Sequence, residues 1–180
     1  MLVLDAVACR RGGRLLFEAL SLTLGPGEAA LVTGPNGIGK SSLLRLAAGL
    51  LGPASGKVER GKAALADECL ALDERQRLDR ALAFWVEDAA IGIGAMGLAP
   101  LAAVPVRMLS TGQRKRAALA RVIASEAPLW LLDEPANGLD ADGRDRLAAA
   151  MAGHRAGGGA ILAASHQPLD LPGAKTVALG

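Results

Sequence analysis

The chain has 180 residues, with 20 Lys+Arg against 18 Asp+Glu and a formal net charge of +2. That length supports one domain with a sizeable core. The near-neutral balance lacks the basic excess expected of a nucleic-acid binder, so no nucleic-acid partner is expected. Apolar residues make up 51% and aromatics 2%, so the core must be built from Leu, Ala, Val and Ile.

Two cysteines, Cys9 and Cys69, are too few for a disulfide framework. Each sits among apolar neighbours, which predicts two buried thiols in a reducing compartment. The start, MLVLDAVACRRGG, lacks the basic-then-apolar order of a secretory signal. The oiliest stretch, Ala89 to Val106, is broken by Gly92, Gly94, Gly97, Pro100 and Pro105, so no bilayer-spanning run is expected. The expectation is a soluble cytoplasmic protein whose membrane connection runs through a partner.

In chain order, Leu2–Ala8 predicts a strand, Arg10–Arg14 a turn and Ser21–Leu24 a second strand before the Gly-Pro-Gly turn at 25–27. Ala29–Thr33 is a short apolar run suited to a buried parallel strand. The loop after it leads into a helix with apolar Leu43, Leu44, Leu46 and Ala47, ending at Gly49.

That loop matches G-x-x-x-x-G-K-[ST] without a mismatch, after a strand and before a helix as the chemistry requires. Its nucleotide-binding set is Gly34, Pro35, Asn36, Gly37, Ile38, Gly39, Lys40, Ser41 and Ser42. The glycines let backbone N–H groups wrap around phosphates, and the helix N-terminus adds its positive end. Lys40 supplies a full charge to the β- and γ-phosphates, and the Ser41 hydroxyl is placed to ligate Mg²⁺. The motif alone does not separate ATPases from GTPases or small-molecule kinases.

Pro53–Gly56 predicts a turn before a short strand at Lys57–Glu59, and Asp73–Phe84 a charged helix with Leu78, Leu82 and Phe84 on its apolar side. Ala89–Val106 predicts short helices and loops. A small-residue turn with Ser110 and Gly112 opens a helix over Gln113–Ser125. Arg114, Lys115 and Arg116 at its start read as a solvated helix face, with help toward phosphate charge as the alternative. Leu129–Leu132 is a buried strand ending in Asp133-Glu134. Two adjacent carboxylates there are costly unless something positive faces them. Asp133 fits as the Mg²⁺ holder beside Ser41, and Glu134 as the general base on the attacking water. Ala141–Gly153 predicts a helix, and Ala160–Ala164 and Thr176–Leu179 predict strands. The alternation points to an α/β fold with a largely parallel sheet.

Leu109-Ser-Thr-Gly-Gln113 resembles the LSGGQ signature of ATP-binding cassette (ABC) ATPases, with Thr111 in place of the first Gly. Asp133-Glu-Pro-Ala-Asn-Gly-Leu-Asp140 is similar to the family's Walker-B and D-loop run, and His166 in AASHQ matches its switch histidine. The resemblance covers essentially the whole chain. It implies a RecA-like P-loop core of mostly parallel sheet, a small N-terminal antiparallel part, and a helical subdomain inserted at about 68–125 of a single domain. It also implies catalytic roles for Lys40, Glu134 and His166, and a head-to-tail homodimer on ATP binding. In that dimer Ser110, Gly112 and Gln113 of one chain, with Asp140 between the sites, serve the ATP held by the other. The physics agrees: a second anion-binding helix start in one chain is redundant for one nucleotide.

Within the family, GPNGIGKSSLLRLAAGLLGPASG, APLWLLDEPANGLD, SHQPLDLPGA and the Phe84-Trp85 pair resemble the ATPase subunits of cytochrome c maturation haem exporters. That resemblance implies integral membrane partner subunits, a peripheral place on the cytoplasmic face of the bacterial inner membrane, and hydrolysis tied to haem handling. With no Cys-X-X-Cys-His run, direct haem binding is not expected. Two positions depart from the pattern. The adenine-stacking aromatic falls near Arg11, whose guanidinium could stack instead. The Mg²⁺-ligating Q-loop glutamine falls at Glu68, which can hold the ion through oxygen. The stretch from Lys40 to Ser110 is also shorter than the resemblance implies, so the β arm and helical subdomain are expected to be trimmed. A cassette ATPase of translation or DNA repair would carry paired cassettes or a long insertion. A poorly hydrolysing nucleotide sensor is favoured by the departures and opposed by intact Lys40, Asp133, Glu134 and His166.

Overall fold

The computed structural model describes residues 1–179. A three-stranded antiparallel sheet, ordered β2-β1-β4, holds β1 (Leu2–Arg11), β2 (Arg14–Leu24) and β4 (Ser55–Arg60). A five-stranded parallel sheet, ordered β5-β6-β7-β3-β8, holds β3 (Ala29–Thr33), β5 (Ala63–Ala66), β6 (Leu129–Asp133), β7 (Ala160–Ala164) and β8 (Lys175–Ala178). Helix α1 (Lys40–Ala47) follows β3; α2 (Leu78–Ala83), α3 (Ala89–Ala95) and α4 (Thr111–Ile123) lie between β5 and β6; α5 (Ala141–Ala156) joins β6 to β7.

The parallel sheet separates two cores, and period-2 alternation sorts its side chains between them. Leu129, Leu131, Leu162, Ala164 and Val32 face α1 and the antiparallel sheet. Trp130, Leu132, Ile161 and Ala163 face the helices on the other side. Strands β6 and β7 are buried at every residue, as continuous apolar runs in a two-sided sheet should be. Each fully buried leucine contributes about 2 kcal/mol. Among the described residues no helix is long and apolar enough to cross a membrane.

Several elements differ from expectation. β2 starts at Arg14 rather than Ser21, because Ala6 and Ala19 sit at positive φ and register shifts break the alternation that marks a strand. β5 was not expected at all; Ala-Ala-Leu-Ala becomes a strand through its pairing with β6. The helix expected over 73–84 is confined to 78–83, since the Asp73 carboxylate accepts from Arg75 N at 2.9 Å and makes a turn. Cys9 is buried, but Cys69 is exposed on the loop after β5.

Candidate functional site

The carboxyl ends of four parallel strands converge on one cavity, the position an open α/β sheet offers a ligand. β3 runs out into the phosphate loop, β5 leads to Glu68, β6 ends in Asp133 followed by Glu134, and β7 leads to His166. The cavity, of about 360 Å³, is lined by Leu16, Asn36, Gly37, Gly39, Lys40, Ser41, Ser42, Glu68, Asp133, Glu134, Asn137 and His166.

The phosphate loop is held from inside. Gly34 has φ 142°, and a Cβ there would stand 2.5 Å from the Leu179 carbonyl oxygen, so only glycine fits. The Lys40 ammonium donates to the carbonyls of Gly34 at 2.8 Å and Pro35 at 3.2 Å, curling the loop around itself. α1 begins at Lys40 directly after Gly39, so its first N–H groups have no intrahelical partner. Their positive end faces the same space as Lys40.

Asp133 is buried, and its carboxylate takes a hydrogen bond from the Ser41 hydroxyl. Burial pushes its pKa up, the Ser41 bond pulls it back, and neighbouring Glu134 raises it again. Glu134 stands at φ 46°, unusual for a residue with a side chain. Its N–H donates to the Ala164 carbonyl at 2.8 Å, tying it to the end of β7. There the His166 Nδ1 lies 2.9 Å from Glu134 Oε2, and the His166 main-chain N–H donates to the same carboxylate at 3.2 and 3.3 Å. The Nδ1 contact leaves Nε2 for other partners.

A second cavity, about 300 Å³, lies elsewhere on the chain and includes Ser110, Gly112, Gln113, Arg116, Gly138 and Asp140 in its lining. Ser110 caps α4: its Oγ accepts from Gln113 N at 3.3 Å, and Gln113 Oε1 accepts from Ser110 N at 2.9 Å. This capping box commits the Gln113 carbonyl to the helix start. A Cβ at Gly112 would stand 3.1 Å from the Gly138 carbonyl oxygen, so glycine lets the α4 start and the loop before α5 approach. Asp140 caps α5 through Gly143 N at 2.9 Å and pairs with Arg116. The Gly143 bond and then the Arg116 guanidinium hold its carboxyl below the usual range.

The structure therefore gathers Lys40, Ser41, Ser42, Glu68, Asp133, Glu134 and His166 at one cavity, and Ser110, Gly112, Gln113 and Asp140 at another. It does not bring Arg11 to either. Arg11 pairs with Arg14 across the Gly12-Gly13 turn, so the hairpin tip carries it away, and Leu16 lines the first cavity instead. Arg116 is not a solvated residue: its side chain is 13% exposed and bridges Asp140 and Asp142. Sequence reasoning also missed Leu16 and Asn137; the latter lay in plain view inside DEPANGLD.

Comparison with known proteins accords with this geometry. The family described as "ABC transporter" matches residues 17–137. The chain is similar to the Cytochrome c biogenesis ATP-binding export protein CcmA of Sphingopyxis alaskensis, 57% identical over 100% of this chain and 97% of that protein. Its counterpart in Novosphingobium aromaticivorans is 56% identical over 99% of this chain and 95% of that protein. Among solved structures, a putative ABC transporter ATP-binding protein from Pyrococcus furiosus shares the fold with a TM-score of 0.83 at 18% identity, over 99% of this chain and 96% of that one. The chain belongs to the ABC transporter family of ATPases, among the ATP-binding subunits of cytochrome c biogenesis exporters.

Proposed function

We propose that this ATPase drives its exporter through a homodimer that closes around two ATP molecules. The observation that carries the reading is the separation of two anion-suited cavities on one chain, each at a helix start. In the first, Lys40 and the N–H groups opening α1 bind the β- and γ-phosphates, and Ser42 lines the phosphate side. In the second, the Ser110 hydroxyl and the first N–H groups of α4 face the γ-phosphate of the partner copy's ATP.

The residues of the first cavity fit Mg²⁺. A buried carboxylate bonded to a hydroxyl, with its pKa raised by burial, gains from a cation brought with the nucleotide. Ser41 and Asp133 would hold the ion, with Glu68 as a further oxygen ligand, and it would neutralise charge on the β- and γ-oxygens. Glu134 takes the proton of the attacking water as general base. His166, oriented by Glu134, positions the γ-phosphate. Leu16 is the apolar wall on which the base end of the nucleotide rests.

The membrane subunits of the exporter are the proposed partners, at the cytoplasmic face of the inner membrane. Their docking surface is the apolar patch of Phe84, which is 81% exposed, and Trp85, beside Ala71 and Leu72. Hydrolysis then serves haem handling by those subunits, with haem itself held by the partners. Co-expression with the membrane subunits tests this: co-purification and ATP turnover by the complex support it, and stable association with ribosomes or DNA instead would overturn it.

A further inference from the structure

Lys115 has no part in the function proposed above, and it lines neither cavity. It sits on α4, two residues beyond the capping box, half-buried behind the end of β6. Its ammonium donates to the Asp133 carbonyl oxygen at 3.2 Å. Burial pushes its pKa down, and four carboxylates pull it back: Asp133 most, then Glu134, Glu68 and Asp67.

These carboxylates are unevenly partnered. Asp67 has Arg45 at 3.2 Å, and Glu134 has His166 at 2.9 Å. Asp133 has only the neutral Ser41 hydroxyl on its carboxylate. Among the described residues, neither Asp133 nor Glu68 forms an ion pair. The other cation close by, Lys40, spends its ammonium on the carbonyls of Gly34 and Pro35. Asp133, Glu134 and Glu68 thus line one cavity, Asp133 and Glu68 without an ion-pair partner and Glu134 facing an imidazole rather than a fixed cation. Asp133 is buried and Glu134 half-buried, so the repulsion between these two is poorly screened, while Glu68 is exposed at the cavity rim.

We propose that Lys115 is a positioning residue of the nucleotide site, a cation behind the β6 end that balances the Asp133, Glu134 and Glu68 carboxylates and anchors the Asp133 backbone. The inference rests on the proposed function only for the roles of those three residues. It adds a partner on α4 for exposed Glu68, whose charge acts on Lys115. It also ties α4, which carries the Ser110 half-site, to the end of the strand that carries the catalytic half-site.

The test compares thermal midpoints of the nucleotide-free chain for Lys115→Arg, Lys115→Gln and Lys115→Met, each with and without Glu68→Gln. Gln keeps a hydrogen-bond donor without the charge, and Arg keeps both. Lys115→Arg should melt with the parent. Lys115→Gln and Lys115→Met should each melt about 4 °C lower. Adding Glu68→Gln should recover about half of that loss, while changing the parent little. In turnover, Lys115→Gln should lower kcat about tenfold with KM within about twofold, and Lys115→Arg should restore it. If Lys115→Met fails to fold, Lys115→Gln and its double variant carry the comparison. The proposal is overturned if Lys115→Gln melts with the parent, or if Glu68→Gln shifts both backgrounds equally. Because the melting arm uses no nucleotide, it stands whether or not the ATP-sandwich reading holds.

Discussion

Glu134 and His166 form a direct pair at the rim of the phosphate cavity, with Nδ1 2.9 Å from Oε2 and the His166 main-chain N–H donating to the same carboxylate. In the proposed function, the carboxylate that would take the proton from water is thereby aimed by the residue that would face the γ-phosphate. Glu134→Gln keeps the shape and loses the base, so kcat should fall at least about 100-fold with ATP affinity retained. His166→Ala should lower kcat about tenfold or more with little change in binding. Phosphate release and equilibrium ATP binding, measured on the same preparations, check both.

Buried Asp133 makes stability depend on pH with a definite sign. Its folded pKa lies above its unfolded value, chiefly through burial. Below the ordinary carboxylate range both states hold the proton and there is no penalty. As pH rises through the unfolded and then the folded pKa, the fold must accommodate an ionised buried carboxylate and loses stability. Asp133→Asn should therefore raise the neutral-pH midpoint of the nucleotide-free chain by about 2–4 °C and abolish turnover. The gap between variant and parent should close in acid. Thermal scans from about pH 4 to about pH 8 read this directly.

In the proposed function the base end of the nucleotide rests on Leu16, which lines the first cavity. Arg11→Ala should change ATP affinity less than about twofold, because Arg11 sits at the hairpin tip away from the cavity. Leu16→Tyr adds an aromatic face and should tighten binding about tenfold, in line with base–aromatic stacking. Titration with a fluorescent ATP analogue separates the two positions.

Phe84 packs edge-to-face on Trp85 with ring centroids 5.3 Å apart, yet is 81% exposed. An exposed apolar patch of this kind marks an interaction site. Phe84→Ser should leave the midpoint of the isolated chain within about 1 °C, since exposed substitutions cost little. It should reduce co-purification of the membrane subunits several-fold.

How much of this was legible in the sequence depended on whether local chemistry or distant pairing set each feature. The phosphate loop was readable because wrapping backbone around phosphates demands glycines, a lysine and a hydroxyl at fixed spacing. The buried strands β6 and β7 announce themselves as unbroken apolar runs. β5 did not, because Ala63–Ala66 carries no β-branched residue and is made a strand by its neighbour. The Glu134–His166 contact arises from the parallel register that sets Asp133 beside Ala164, which no local pattern encodes. Arg116 looked like one of three solvated basic residues until the fold laid Asp140 and Asp142 against it. Arg11 falls outside the first cavity for the complementary reason: the hairpin extends to its tip before turning back, and that length is set by pairing between β1 and β2.

The central claim is that the two cavities serve two different nucleotides, one held by this chain and one by its partner copy. Sedimentation of Glu134→Gln chains with Mg–ATP, with and without Ser110→Arg, tests it most directly. The account predicts that Glu134→Gln alone forms an ATP-dependent dimer, while adding Ser110→Arg leaves a monomer that still binds ATP with parent affinity. Loss of ATP binding by the Ser110→Arg chain itself, or an undiminished dimer, would contradict it.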